Sequence, residues 1–206
     1  VFVCNYDAAY MGFMDADNRL YRNDGNLQFT DVTADAGFPS MVNYTFMALW
    51  MDYNRDLFPD LLVLNDRYEV PNYFYHNNGD GTFTEMGQSA NLDDFIWSMT
   101  ATADDYDNDG DFDIVFAGQF SSPRVFENDG LGNFSLLSFD FQNVYVTDAE
   151  FSDFNGDGFA DLWFSVNASG AGDPAYHGGQ RPDGSGANRH RQDCRLPHCH
   201  HHRPLQ

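Results

Sequence analysis

Three nine-residue strings carry most of the chemistry this sequence could perform: Asp52-Tyr-Asn-Arg-Asp-Leu-Phe-Pro-Asp60, Asp105-Tyr-Asp-Asn-Asp-Gly-Asp-Phe-Asp113 and Asp153-Phe-Asn-Gly-Asp-Gly-Phe-Ala-Asp161. Each sets Asp or Asn at positions 1, 3 and 5 and Asp at position 9. When such a loop curls, these side chains converge on one point. Hard oxygen ligands in that number suit calcium, which takes six to eight oxygens at roughly 2.3–2.6 Å, whereas magnesium keeps several waters and few carboxylates. A glycine at position 6 permits the sharp turn, and position 7 offers its backbone carbonyl. Gly110 and Gly158 meet the first requirement, and Leu57 does not. An EF-hand would need glutamate at position 12, where this chain has Val63, Phe116 and Phe164. A single string rich in Asp, Asn and Gly is more often a solvated turn than a site. Carboxylates crowded without a cation also raise one another's pKa values, so a site of this composition needs an ion to stay fully ionised.

The strings are in phase with a second marker. The loops recur at steps of 53 and 48 residues. Between them lie Asn23-Asp-Gly25 with Phe29, Asn77-Asn-Gly79 with Phe83 and Asn128-Asp-Gly130 with Phe134, at steps of 54 and 51. Two markers keeping one period define a supersecondary unit repeated in tandem, which moves the balance from solvated turns to metal loops. After each acidic loop comes a short apolar run: Leu61–Leu64, Ile114–Ala117 and Leu162–Phe164. An aromatic segment, an Asn-Gly or Asp-Gly turn and another strand follow, and those dipeptides supply the positive φ that tight hairpins require. No segment shows an apolar stripe of helical period. About 50 residues per all-β unit predicts four-stranded blades, hence a β-propeller, with a stacked solenoid as the other solution.

The chain resembles the FG-GAP/VCBS repeat, in the form found in secreted cartilage-acidic-protein-like proteins. The resemblance rests on Asn18-Arg-Leu-Tyr-Arg-Asn-Asp-Gly25 with Phe29-Thr-Asp-Val-Thr33, on Asp105–Asp113, and on Asn91-Leu-Asp-Asp-Phe-Ile-Trp-Ser98. It covers residues 1 to about 177. It implies blades of a seven-bladed propeller of the kind found in integrin α heads, with each calcium loop joining two strands at the propeller's edge. Carried over, the ligands are Asp52, Asn54, Asp56 and Asp60; Asp105, Asp107, Asp109 and Asp113; Asp153, Asn155, Asp157 and Asp161, for up to three calcium ions. Phe58, Asp111 and Phe159 contribute carbonyls. The expected fold is an all-β propeller fragment of about three to three and a half blades. The units run roughly over 1–45, 46–98, 99–147 and 148–177, with the remaining blades missing from this chain.

Composition bounds the function. With 32 acidic side chains against 10 arginines, no lysine and a formal charge of −22, the chain repels nucleic acid and anionic membranes. No apolar run reaches the roughly 20 residues of a membrane span. Residues 178–206 hold five of the seven histidines and five of the ten arginines but no Phe, Tyr, Trp, Ile, Val or Met. That stretch is expected to be disordered or foreign to the repeat, and Cys194, His198, Cys199 and His200–His202 lack the paired framework of a zinc site. The expected role is an extracellular or cell-surface calcium-binding module for structure and interaction, with a protein or glycan partner. A calcium-dependent propeller enzyme, a polysaccharide lyase or hydrolase or a phosphoesterase, is the alternative. It would need an acid, base or nucleophile outside the metal loops, and the sequence offers no convincing one. His76 is expected to be a strand-end histidine, and Arg19, Arg22 and Arg124 to pair with surplus aspartates.

Overall fold

A computed structural model describes residues 1–6, 17–40, 44–118, 121–139 and 146–166. The expectations for 178–206, and for the fourth unit beyond 166, lie outside the described residues.

The described chain is built of antiparallel sheets, one to each repeat. The first holds β1 (Phe2–Val3), β2 (Arg19–Gly25) and β3 (Gln28–Asp31). The second is a four-stranded meander of β4 (Thr45–Met51), β5 (Asp60–Asn65), β6 (Tyr73–Asn77) and β7 (Phe83–Glu85). The third repeats it with β8 (Ser98–Asp104), β9 (Asp113–Gly118), β10 (Ser121–Asn128) and β11 (Phe134–Leu136). The fourth pairs β12 (Val146–Ser152) with β13 (Asp161–Val166). A single turn of helix, α1 (Gly87–Ala90), follows β7 and ends on Asn91 in the left-handed conformation.

The apolar runs after the acidic loops are strands buried on both faces. On β5, Leu61 and Val63 pack toward the first sheet with Leu20, Ala36 and Phe38. Leu62 and Leu64 turn the other way, onto Ala101, Ile114 and Phe116 of the third sheet. On β9 the alternation recurs, with Ile114 and Phe116 against the second sheet and Val115 and Ala117 against Val146, Phe151 and Leu162 of the fourth. Side chains still alternate with period 2, but neither side meets water, so the sequence reads as a continuous apolar run. The first strands of successive sheets also lie against one another, β4 on β8 and β8 on β12.

Trp50 stands at the surface, edge-on to Phe83. The three arginines find aspartates as expected: Arg19 with Asp31 at 3.6 Å, Arg22 with Asp24 at 2.7 Å and Arg124 with Asp94 at 2.6 Å.

Candidate metal centre

Each acidic string is the connection between the first two strands of a sheet, closed by the pairs Met51 with Asp60, Asp104 with Asp113 and Ser152 with Asp161. The three loops share one backbone path. Positions 4 and 6 are both left-handed in all of them: Arg55 (φ 59°) and Leu57 (71°), Asn108 (61°) and Gly110 (98°), Gly156 (78°) and Gly158 (87°). This winding turns backbone N–H groups inward. Position 3 accepts from the N–H of position 5, as Asn54 from Asp56 at 3.1 Å, Asp107 from Asp109 at 3.1 Å and Asn155 from Asp157 at 2.8 Å. Position 5 accepts from position 7 in the same way, with Phe58, Asp111 and Phe159 donating. These bonds are Asx turns, and they explain why Asp and Asn recur at alternate positions.

The ninth position joins the two sequence markers. Asp60 is fully buried, and its Oδ1 accepts from the backbone N–H of Asn77 at 2.8 Å. Asp113, 1% exposed, accepts likewise from Asn128 at 2.9 Å. Those two asparagines open the hairpin turns, and each accepts from its glycine two residues on, Gly79 and Gly130. Their amides donate back to the position-8 carbonyls of Pro59 and Phe112. Loop and turn keep one period because they are bonded to each other.

The loops differ in what fills them. In the first, Asp52 accepts from the N–H groups of Asp56 (3.1 Å) and Leu57 (2.9 Å), and Asn54 donates its amide to Asp56 at 2.9 Å. In the third, Asp153 accepts from Gly156, Asp157 and Gly158, and Asn155 donates to Asp161 at 3.1 Å. The Gly158 bond leads the interactions that hold the Asp153 carboxyl below its usual range. In the middle loop, one carboxylate oxygen each from Asp105, Asp107 and Asp109 lies within 4.8 Å of the other two. The buried Oδ1 atoms of Asp105 and Asp111 have no hydrogen-bond partner. Burial, with repulsion from Asp107 and Asp109, pushes the Asp113 carboxyl up to about 8. Burial and the Asp109 charge push Asp111 up to about 6, and burial first, then Asp109 and Asp105, raises Asp107. Crowded acids with orphaned buried oxygens are the arrangement a divalent cation satisfies, so the residues present fit calcium in this loop.

Of the fifteen positions taken from the sequence, Asp105, Asp107 and Asp109 form this cluster. Asp111 adds something the sequence did not assign it: its side chain is only 8% exposed, with Oδ2 3.8 Å from Arg55 Nη2, whereas Phe58 and Phe159 at the same position are exposed. Among the described residues, the first and third loops form no such cluster of three acids. Their Asn54 and Asn155 amides engage the neighbouring carboxylates instead.

Two contacts escaped the sequence reading. His76 is not a free strand-end residue, because its Nδ1 lies 3.1 Å from Asp60 Oδ1 and 3.5 Å from the Tyr53 hydroxyl. Arg55 does not sit over its own loop but reaches the next one, with Nη2 3.8 Å from Asp111 Oδ2. The left-handed fourth position was open to detection, since Asn108 and Gly156 there are residue types that adopt positive φ most readily.

The FG-GAP-like repeat profile matches residues 52–116 and again residues 105–164, more than half of the chain. The chain belongs to the FG-GAP-like repeat family. Both matched segments contain the middle loop, and each opens on the first aspartate of a loop. Among solved structures, the chain is similar to an Agrocybe aegerita lectin described as recognising non-reducing terminal N-acetylglucosamine. The two share 19% identity with a TM-score of 0.47, over 75% of this chain and 44% of the lectin chain. No curated protein matches the chain. Among the described residues, no helix is long and apolar enough to cross a membrane.

Proposed function

We propose that this FG-GAP repeat segment is an arc of a β-propeller that binds calcium and serves extracellular or cell-surface interaction with a protein or glycan. The observation that carries the metal reading is the middle loop, where Asp105, Asp107 and Asp109 converge beside the unpartnered Oδ1 atoms of Asp105 and Asp111. The propeller reading is supported by successive sheets packed through their first strands, the strands nearest the axis in that architecture. The shared loop backbone supports up to three ions, with the middle loop the tightest because it brings the most carboxylates together. Bound there, the ion supplies charge neutralisation and a fixed loop conformation.

An extracellular setting goes with the reading, since loops with the roughly 10⁻⁴–10⁻³ M affinity of extracellular modules would stand mostly empty at resting cytosolic calcium. An interaction role fits the engagement of His76 with Asp60, itself a member of a metal loop. Calorimetric titration with calcium, repeated on Asp105→Ala, tests the reading. It expects saturable binding whose tightest event disappears in the variant; no binding up to 10 mM-scale calcium, or an unchanged tightest event, overturns it.

A further inference from the structure

Among the described residues, two side chains link the acidic loops of successive sheets, and both sit at position 4. Arg55, fourth in the first loop, places its guanidinium against the second loop: Nη2 is 3.8 Å from Asp111 Oδ2, and a methyl group added at Gly110 would lie 3.0 Å from the same nitrogen. Asn108, fourth in the second loop, donates its amide to the carbonyl of Gly158 in the third at 3.1 Å. In both cases the left-handed turn at position 4 swings a side chain out of its own loop toward position 6 or 7 of the next.

The two links differ in charge. Asn108 is neutral, whereas Arg55 brings a full positive charge to a loop holding Asp105, Asp107, Asp109, Asp111 and Asp113. The same Oδ2 of Asp111 lies close to Gly130, where an added methyl group would stand 2.7 Å from it. Arg55 is itself pinned at its backbone, where the neighbouring N–H groups of Asp56 and Leu57 donate to Asp52.

We propose that Arg55 is a tethered counter-cation of the neighbouring loop, lowering the affinity of the Asp105–Asp113 site for a divalent cation and making it depend on the loop before it. The proposal rests on the calcium reading above. A guanidinium beside Asp111 partly neutralises the carboxylates that attract the ion, so the ion gains less on entering. When the site fills, Arg55 faces a calcium ion through Asp111 and is pushed toward solvent, which its 57% exposed side chain permits. Through Arg55 the charge of the first loop bears on the second site.

The test is calcium titration of the protein with Arg55→Gln, Arg55→Lys and Asp111→Asn, singly and with Arg55→Gln and Asp111→Asn combined, at low and at high ionic strength. Glutamine keeps the length and the non-glycine backbone while removing the charge. A partly exposed ion pair is worth up to about 1 kcal/mol, so Arg55→Gln should tighten the middle-loop event about two- to fivefold at low salt. The gain should shrink toward unity at about 1 M salt, where screening acts over roughly 3 Å. Arg55→Lys should restore the weaker binding, and in the Asp111→Asn background Arg55→Gln should gain much less. Equal affinities for the parent protein and Arg55→Gln at both ionic strengths, or an undiminished gain without Asp111, would overturn the proposal and leave the calcium reading standing. An absence of calcium binding in every variant would overturn both.

Discussion

Replacing Leu57 by glycine should stabilise the protein, and replacing Gly158 by leucine should destabilise it by a similar amount. Both residues occupy position 6 of their loops and both are left-handed, at φ 71° and 87°. For a residue with a Cβ that conformation costs roughly 1–2 kcal/mol. Glycine returns roughly 0.5–1 kcal/mol of this through the larger entropy it loses on folding. The net gain for Leu57→Gly is therefore about 0.5–1 kcal/mol. Packing adds little to the account, because Leu57 is 85% exposed. At Gly158 nothing lies within 4 Å of an added Cβ, so the first atom of the Gly158→Leu side chain meets open space and backbone strain leads the cost. For a chain of this size 1 kcal/mol moves the melting temperature by about 2–4 °C. The shift should appear with chelator as well as with calcium, because the turn at Leu57 is held by its own hydrogen bond to Asp52 at 2.9 Å. Denaturant or thermal unfolding of the two variants in both conditions checks this. A destabilised Leu57→Gly would refute the strain argument. A gain present only in calcium would show that the left-handed turn belongs to the ion-bound loop alone.

Calcium should raise the melting temperature, since a single site at free calcium 100 times its dissociation constant contributes about 2.7 kcal/mol; a melt indifferent to chelator would contradict the metal reading. The pH dependence without calcium has a definite sign. Asp113 and Asp111 titrate in the folded chain near 8 and 6, above the usual carboxylate range, so the folded state holds the extra protons between about pH 4 and 8 and stability falls as pH rises through that window. Calcium should flatten or reverse that slope and release protons on binding, which melts across pH and calorimetry in buffers of different ionisation enthalpy will read. Asn128→Ala should cost about 1–3 kcal/mol, because it strips partners from Tyr53 and Phe112 carbonyls at a position only 1% exposed. Asn77→Ala should cost less, since its bond to Pro59 is exposed; equal costs in chemical denaturation would show that burial is not what separates them.

What the sequence made legible was periodic, and what it hid was contact between repeats. The acidic loops, the Asn-Gly turns and the apolar strands could be placed because each repeats a local rule: Asx turns at alternate positions, positive φ in the hairpins, and double-sided burial after the loop. The same rules predict a shared backbone, and the positive φ at Leu57 follows from its phase with Gly110 and Gly158. Individual side chains obey no such period. At position 4 the chain has Arg55, Asn108 and Gly156, three residue types with one backbone conformation, so phase alone gives the turn and not its reach. At the residue before the turn asparagine, His76 of one repeat, 3.1 Å from the buried Asp60 carboxylate, is replaced by Glu127 in the next. Asp111 differs again, buried where Phe58 and Phe159 are exposed. The repeat therefore fixes one loop backbone three times over, while the non-periodic residues decide how each copy is charged. In this chain they leave the middle loop with the most carboxylate, the orphaned oxygens and a borrowed arginine, and that is where the three loops part in the charge they would offer a cation.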